Sequence, residues 1–270
     1  MIGFANAKIN IGLQIIGRRS DGYHLINTVM YPVREFNDVV EIVPSKSFGL
    51  VTTGLPLDVV TEKNLVYKAY QLLKDHYNLP PVNIFLHKII PYGAGLGGGS
   101  SDAAQVILLV NKLFNLGLST EQMKDFASRL GADCAFFIEN TPALATGTGT
   151  ELTALDLNLD SYNIVILKPD FGISTKEAYS MVKPSEPGFD LAQIAKLPVE
   201  KWKDYIVNDF ERFLFPKYPV LADIKSRLYD SGALYASLSG SGSALYGIFP
   251  DKTDLTLFGD IFAWQSYDFK

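Results

Sequence analysis

PYGAGLGGGSSDAA, residues 91–104, decides how this chain of 270 residues is read. Five glycines lead into two serines, an aspartate and the apolar run that continues as QVILLVNKLF. Glycine has no Cβ, so its backbone can turn N–H groups inward and approach a ligand closely. The run that follows has helical spacing. A helix start adds unpaired N–H groups and the positive end of its dipole at the same spot. Together they form an anion site, and phosphate is its usual occupant. The preceding VNIFLHKII alternates like a strand. A glycine run between a strand and a helix does not read as a flexible linker.

Two other glycine signatures compete. Gly93, Gly95 and Gly98 match G-x-G-x-x-G literally. That dinucleotide pattern calls for a second strand ending in an acid about 20 residues on, whereas residues 112–118 read KLFNLGL. A Walker loop needs a lysine after its last glycine, and Gly99 is followed by Ser100. A purely structural turn is the remaining alternative to phosphate binding.

The bulk numbers narrow the class. The chain is 47% hydrophobic and 20% charged, an ordinary globular balance with room for one large domain or two modest ones. A net charge of −5 argues against a nucleic-acid partner, which would favour a basic face. The single cysteine, Cys134, leaves no internal disulfide and points to a reducing compartment. MIGFANAKINIGL carries a lysine in its middle and no basic stretch ahead of an apolar core, so it is not a secretory signal. The longest apolar stretches are about half of what spans a bilayer. The expectation is a cytoplasmic, soluble protein with no membrane partner.

Working outward from the loop, AKINIGLQII, INTVMYPV and DVVEIVP read as strands, and residues 63–76 and 102–115 as helices flanking the strand 82–90. A third helix starts at Ser119 or Thr120 and ends at Gly131, a residue suited to a left-handed C-terminal position. ALATGTGTELTAL reads as a hairpin. YNIVILKP is a strand, Ser174 and Glu177 have capping-box spacing, PSEPGFD is a loop, and a helix runs from about Pro219 to Gly232. LYASLSGSGSALYGIF supplies two strands around a small-residue turn. Strands and helices mix without strict alternation, which predicts an α+β fold in two lobes, residues 1–152 and 153–270.

Three constellations stand apart from the core pattern. Lys8 and Asn10 share one face of a strand, opposite Ile9 and Ile11; a lysine there is as readily a solvated edge residue. Asp133 lies just past Gly131 and before the apolar, strand-like CAFFI; an aspartate there is as readily a turn or cap residue. SGSG, residues 239–242, is a common turn composition. His76 and His87 read as structural. Three histidines and one cysteine show no metal-ligand spacing, so no structural zinc is expected.

The glycine loop, AKINIGL and LSGSGSALYG resemble, in the right order, the three motifs of the GHMP kinases, over nearly the whole chain. RRSDGYHLINTVM and GADCAFFI tighten the resemblance to a branch whose small-molecule substrate carries a cytidine diphosphate group. The resemblance implies a two-lobed fold with a ferredoxin-like C-terminal lobe and the active site in a cleft. It implies phosphorylation of an alcohol by ATP with Mg²⁺. Asp133 would be the catalytic base and Lys8 its electrostatic partner. Pro91, Tyr92, Gly93, Ala94, Gly95, Leu96, Gly97, Gly98, Gly99, Ser100 and Ser101 would wrap the ATP phosphates, with Asn64 and Leu65 on the adenine side. Ser100 or Ser101 could touch Mg²⁺. Tyr23 and His24 would meet the cytosine, Tyr179 would cover its other face, Thr175 would assist, and Asn10 would bond the substrate near the transferred group. Asp102, close to the triphosphate, would either face away or be separated from it by Mg²⁺. The family's usual proline and aliphatic residue after the catalytic aspartate are Cys134 and Ala135 here. Another kinase branch, or a nucleotide-binding regulator on the same fold, would share most of these features.

Overall fold

Two long strands, β1 (Ile2–Arg18) and β2 (His24–Pro44), pair with each other and run through both of the units into which the chain divides. The computed structural model describes residues 1–57 and 59–266. One unit holds Met1–Lys8, Phe36–Tyr92 and Gly97–Thr141; the other holds Ile9–Glu35, Gly93–Leu96 and the chain from Pro142 onward.

In the first unit, β3 (Gly49–Gly54), α1 (Leu65–Tyr77) and β4 (Val82–Lys88) precede α2 (Gly98–Leu113), α3 (Thr120–Ser128) and the short α4 (Phe136–Glu139). β4 lies antiparallel to β2, with Val40 opposite Leu86 and Ile42 opposite Ile84, and parallel to β3. Alternation along β4 buries Val82, Ile84, Leu86 and Lys88 and turns Phe85 and His87 outward. α1 meets the core through Val66, Ala69, Tyr70 and Leu73, the stripe that a 3.6-residue period produces. It packs on α2, whose Ala103, Val106, Ile107 and Val110 are buried.

In the second unit, β5 (Ala143–Thr146) pairs with Thr28–Met30 of β2, and β6 (Glu151–Ala154) closes a hairpin on β5. Then come β7 (Asn163–Lys168), α5 (Thr175–Met181), α6 (Val199–Tyr205), α7 (Glu211–Lys217), α8 (Pro219–Asp230), β8 (Tyr235–Leu238), β9 (Leu245–Phe249) and β10 (Phe262–Gln265). Four of these strands form an antiparallel sheet in the order β10-β7-β9-β8. Its core gathers Val165, Leu167, Ile224, Leu228, Leu238 and Leu245.

The chain is α+β, as its mixed order of elements predicts. INTVMYPV and DVVEIVP are not two strands but parts of the single β2. CAFFI is not a strand: Phe136–Glu139 form a helical turn ending at Asn140 in a left-handed conformation. Gly131 does not terminate α3, which stops at Ser128, and it is absent from the positive-φ glycines. The capped starts at Ser119 and Ser174 form as expected, the first as a complete capping box with Gln122.

Candidate active site

The start of α2 differs from its neighbours. Asn64 caps α1 by accepting from Val66 N–H, Ser119 caps α3, and Ser174 caps α5. α2 has no side-chain cap; its N-cap is Gly97 at φ +71°. Its first-turn N–H groups are thus left without a side-chain acceptor, as at α4, α6, α7 and α8, but here a glycine loop leads into them, and unpaired N–H groups are what an anion needs. Gly93, Gly95 and Gly97 all hold positive φ, 65°, 77° and 71°. Every second residue from Gly93 to Gly97 is therefore left-handed, a conformation that favours glycine and that nests use to turn successive N–H groups toward one anion. A methyl at Gly99 would meet Leu65 Cδ1 at 3.8 Å, so the segment expected on the adenine side packs beside the loop. Asn64 is buried and its side-chain oxygen is committed to the α1 cap.

Lys8 and Asp133, remote in sequence, form an ion pair: Nζ to Oδ2 is 3.3 Å, with the Lys8 side chain 4% and that of Asp133 31% exposed. The lysine is not a solvated edge residue, and the carboxylate keeps one open side. Lys8 lies next to the loop, since a Cβ at Gly97 would fall 3.0 Å from Lys8 Cγ, and so does the ring of Phe137, at 2.8 Å. The turn that presents Asp133 is closed by Cys134 N–H donating to Gly131 C=O at 3.1 Å. Proline at position 134 could not make that bond. The Cys134 thiol is buried, and burial pushes its pKa up to about 11, with Ser100 hydrogen-bonded to it and Asp133 nearby. It packs as a small apolar side chain rather than a nucleophile.

Asp102 faces away from the loop, into a buried ion cluster that sequence reasoning had not found. Lys88 Nζ bonds Asp102 Oδ2 at 2.7 Å and also Asp38, and all three side chains are at most 3% exposed. Asp38 further accepts from Ile89 N–H at 2.5 Å and Ile90 N–H at 2.9 Å. Burial opposes the Lys88 ammonium, but Asp102 and Asp38 outweigh it and raise its pKa. Burial drives the Asp102 carboxyl up to about 8; Lys88 pulls it down and Asp38 adds to the rise. The folded protein thus binds a proton on Asp102 more readily than the unfolded chain does, where an aspartate has an ordinary pKa of about 3.9. Stability contributed this way falls as pH climbs from roughly 4 towards 8. Asp102→Asn removes the titration, so its melting temperature should gain on wild type steadily from pH 5 to 8. A constant difference across that range would show Asp102 ionised throughout.

In the second unit, Ser239 of the SGSG turn grips the loop: its Oγ donates to Gly95 C=O at 2.8 Å, and Ala244 N–H donates to Ala94 C=O at 3.1 Å. Asn10 is buried there; its N–H donates to Ser239 Oγ and its amide to Thr28 Oγ1 at 3.1 Å. His24 stacks on Tyr179 with ring centroids 5.0 Å apart, and Tyr179 stands edge-on to Phe210. Burial and then Arg18 lower the His24 pKa, so at neutral pH its ring offers one donor and one acceptor. Tyr23 is 67% exposed. Thr175, at the start of α5, lies 3.5 Å from Ser241 between hydroxyls.

Residues 64–140 match the model of the GHMP kinases N terminal domain, and residues 189–260 that of the GHMP kinases C terminal. A protein of Parabacteroides distasonis named 4-diphosphocytidyl-2-C-methyl-D-erythritol kinase is 50% identical over 268 residues, 98% of each chain. One of the same name from Clostridioides difficile is 36% identical, covering 93% of this chain and 87% of its own. Among solved structures, a 4-(cytidine 5'-diphospho)-2C-methyl-D-erythritol kinase superposes with a TM-score of 0.83 at 32% identity over 98% of both chains. The mevalonate kinase of Methanococcus jannaschii superposes at 0.72 over 98% of this chain and 97% of its own, and at 14% identity that likeness speaks for the fold alone.

Proposed function

The chain belongs to the GHMP kinases, and from that membership we propose that it transfers the terminal phosphoryl group of ATP to the 2-hydroxyl of 4-diphosphocytidyl-2-C-methyl-D-erythritol, in the non-mevalonate route to isoprenoid precursors. The observation that carries this reading is the Lys8–Asp133 pair set against the uncapped start of α2.

Phosphoryl transfer asks the protein mainly for alignment and charge neutralisation. The acceptor is a tertiary alcohol, crowded and weakly acidic. Asp133 takes its proton as the oxygen bonds to the γ-phosphorus, and ADP leaves with the electrons of the broken P–O bond. The Lys8 ammonium favours the negative charge that grows on that oxygen. The N–H groups of the glycine loop and the first turn of α2 hold the phosphates. Among the described residues no three His, Cys, Asp or Glu side chains gather as a metal site. Mg²⁺ would enter with the nucleotide, and the phosphates would supply part of its ligand set. Ser100 or Ser101 would add a hydroxyl, and the ion would offset phosphate charge.

Tyr23, His24 and Tyr179 receive the cytosine with Thr175 assisting, and Asn10 bonds the substrate near the transferred group. His24 and Tyr179 touch each other at 5.0 Å, so a base entering between them must part the rings. Tyr179→Ala should raise KM for the cytidyl substrate about tenfold, within the span of about 1–3 kcal/mol measured for base–aromatic stacking, and leave KM for ATP unchanged. Equal changes in both would remove Tyr179 from the substrate site. We put the family's two domains at residues 1–152 and 153–270. We also propose a cytoplasmic location, the compartment in which a lone cysteine stays reduced.

The direct test is release of ADP with the cytidyl alcohol, run beside mevalonate and homoserine. Turnover is expected with the first alone. Turnover confined to another alcohol would move the chain to that branch, and ATP binding without turnover on any of them would make it a regulator.

A further inference from the structure

Asp38, Lys88 and Asp102 are three buried ionisable groups that the phosphoryl-transfer chemistry does not use. They bracket the nucleotide loop. Asp38 binds the N–H groups of Ile89 and Ile90, the last residues before Pro91. Asp102 sits within the first two turns of α2, where the loop ends. Lys88 joins the two carboxylates, and a Cβ on Gly98, the first residue of α2, would lie 3.4 Å from its Nζ. Loop entry and loop exit are thereby tied to one ammonium.

Stability alone is a poor account of this cluster. Buried ion pairs are often matched or surpassed by apolar groups of the same volume. Here Asp102 also leaves its Oδ1 buried without a hydrogen-bond partner, which is unfavourable. What the cluster supplies is position. Backbone N–H groups bind phosphate only where the chain holds them in place.

We propose that Asp102, acting through Lys88, is a positioning residue that fixes the nucleotide loop in its phosphate-binding form. The inference rests on reading that loop as the ATP site. Cutting the tether loosens the start of α2 against the end of β4, so nucleotide binding suffers while the Lys8–Asp133 pair stays intact.

The test compares Asp102→Ala, Asp102→Ser and Asp102→Asn with wild type in steady-state turnover of ATP and the cytidyl alcohol, each with a melting curve. Alanine is expected to raise KM for ATP at least tenfold with kcat within about threefold. Serine, too short to reach Lys88, should behave the same and serves if the alanine variant does not fold. Asparagine keeps an acceptor for Lys88 and should bring KM back to within about threefold of wild type. A lower melting temperature with KM for ATP unchanged in the alanine or serine variant would reduce Asp102 to a structural role and overturn the proposal. So would an asparagine variant as impaired as alanine. If wild type itself neither binds nor turns over ATP, the reading of the loop fails and takes this inference with it. Normal wild-type turnover beside unimpaired alanine and serine variants removes the inference alone.

Discussion

Asp133→Asn is expected to fold as wild type does and to lose two to four orders of magnitude in kcat, the range typical of removing a general base. The amide keeps the shape of the carboxylate and can still accept from Lys8, so the 3.3 Å contact has a substitute. What it cannot do is take a proton from the acceptor alcohol. Nothing in the loop changes, so KM for ATP should stay within a few-fold. The measurement is steady-state turnover at saturating ATP, with a melting curve to establish folding. A folded variant with kcat within tenfold of wild type would mean that the alcohol loses its proton elsewhere, and Asp133 would become a turn residue that happens to face Lys8. The geometry argues otherwise. A carboxylate whose only task was the turn would not need the open side that 31% exposure gives it. The turn is closed by Cys134 N–H instead.

How far the sequence could be read depended on the length of each pattern. The strand and helices around the glycine loop were legible because their periods run for several repeats. The turn after Asp133 was not, because CAFFI is apolar throughout and carries no period. A helix of four residues, Phe136–Glu139, has barely one turn in which to show one. α6 and α7, seven residues each, escaped for the same reason, and α7 contains Pro216, which reads as a breaker. The approach of Lys8 to Asp133 could come only from the fold, and only resemblance linked the two beforehand.

The buried cluster was legible and passed over. Alternation puts Lys88 on the face of Ile84 and Leu86, and Asp38 on the face of Phe36, Val40 and Ile42. Asp102 precedes Val106, Leu109 and Val110 at helical spacing on the buried face of α2. An inward lysine demands acidic partners, and two inward acids stand on neighbouring elements. A charged residue on the buried phase of a strand or helix period marks such a cluster.

Gly95→Ala should be the most damaging single methyl in the loop, and Gly93→Ala its control. Both positions are left-handed, at φ +77° and +65°, so each substitution incurs about 1–2 kcal/mol of backbone strain. They part company in their surroundings. A Cβ at Gly93 meets nothing within 4 Å, whereas at Gly95 it would lie 2.0 Å from Ser239 O and 2.9 Å from Ser239 C. Those are backbone atoms of a turn that cannot swing aside as a side chain does. The same turn supplies the Ser239 Oγ bond to Gly95 C=O and the Ala244 N–H bond to Ala94 C=O. The methyl therefore forces the loop and the SGSG turn apart at the place where two hydrogen bonds join them. Overpacking of this kind adds about 1–3 kcal/mol to the strain, so Gly95→Ala should cost about 2–5 kcal/mol in all. The Gly95 variant should show a clear fall in melting temperature and a rise in KM for ATP of tenfold or more. The Gly93 variant should show a small fall in melting temperature and a KM within about threefold. Equal effects at the two positions would mean that left-handed strain alone governs the loop, and that the Ser239 contact does not hold it.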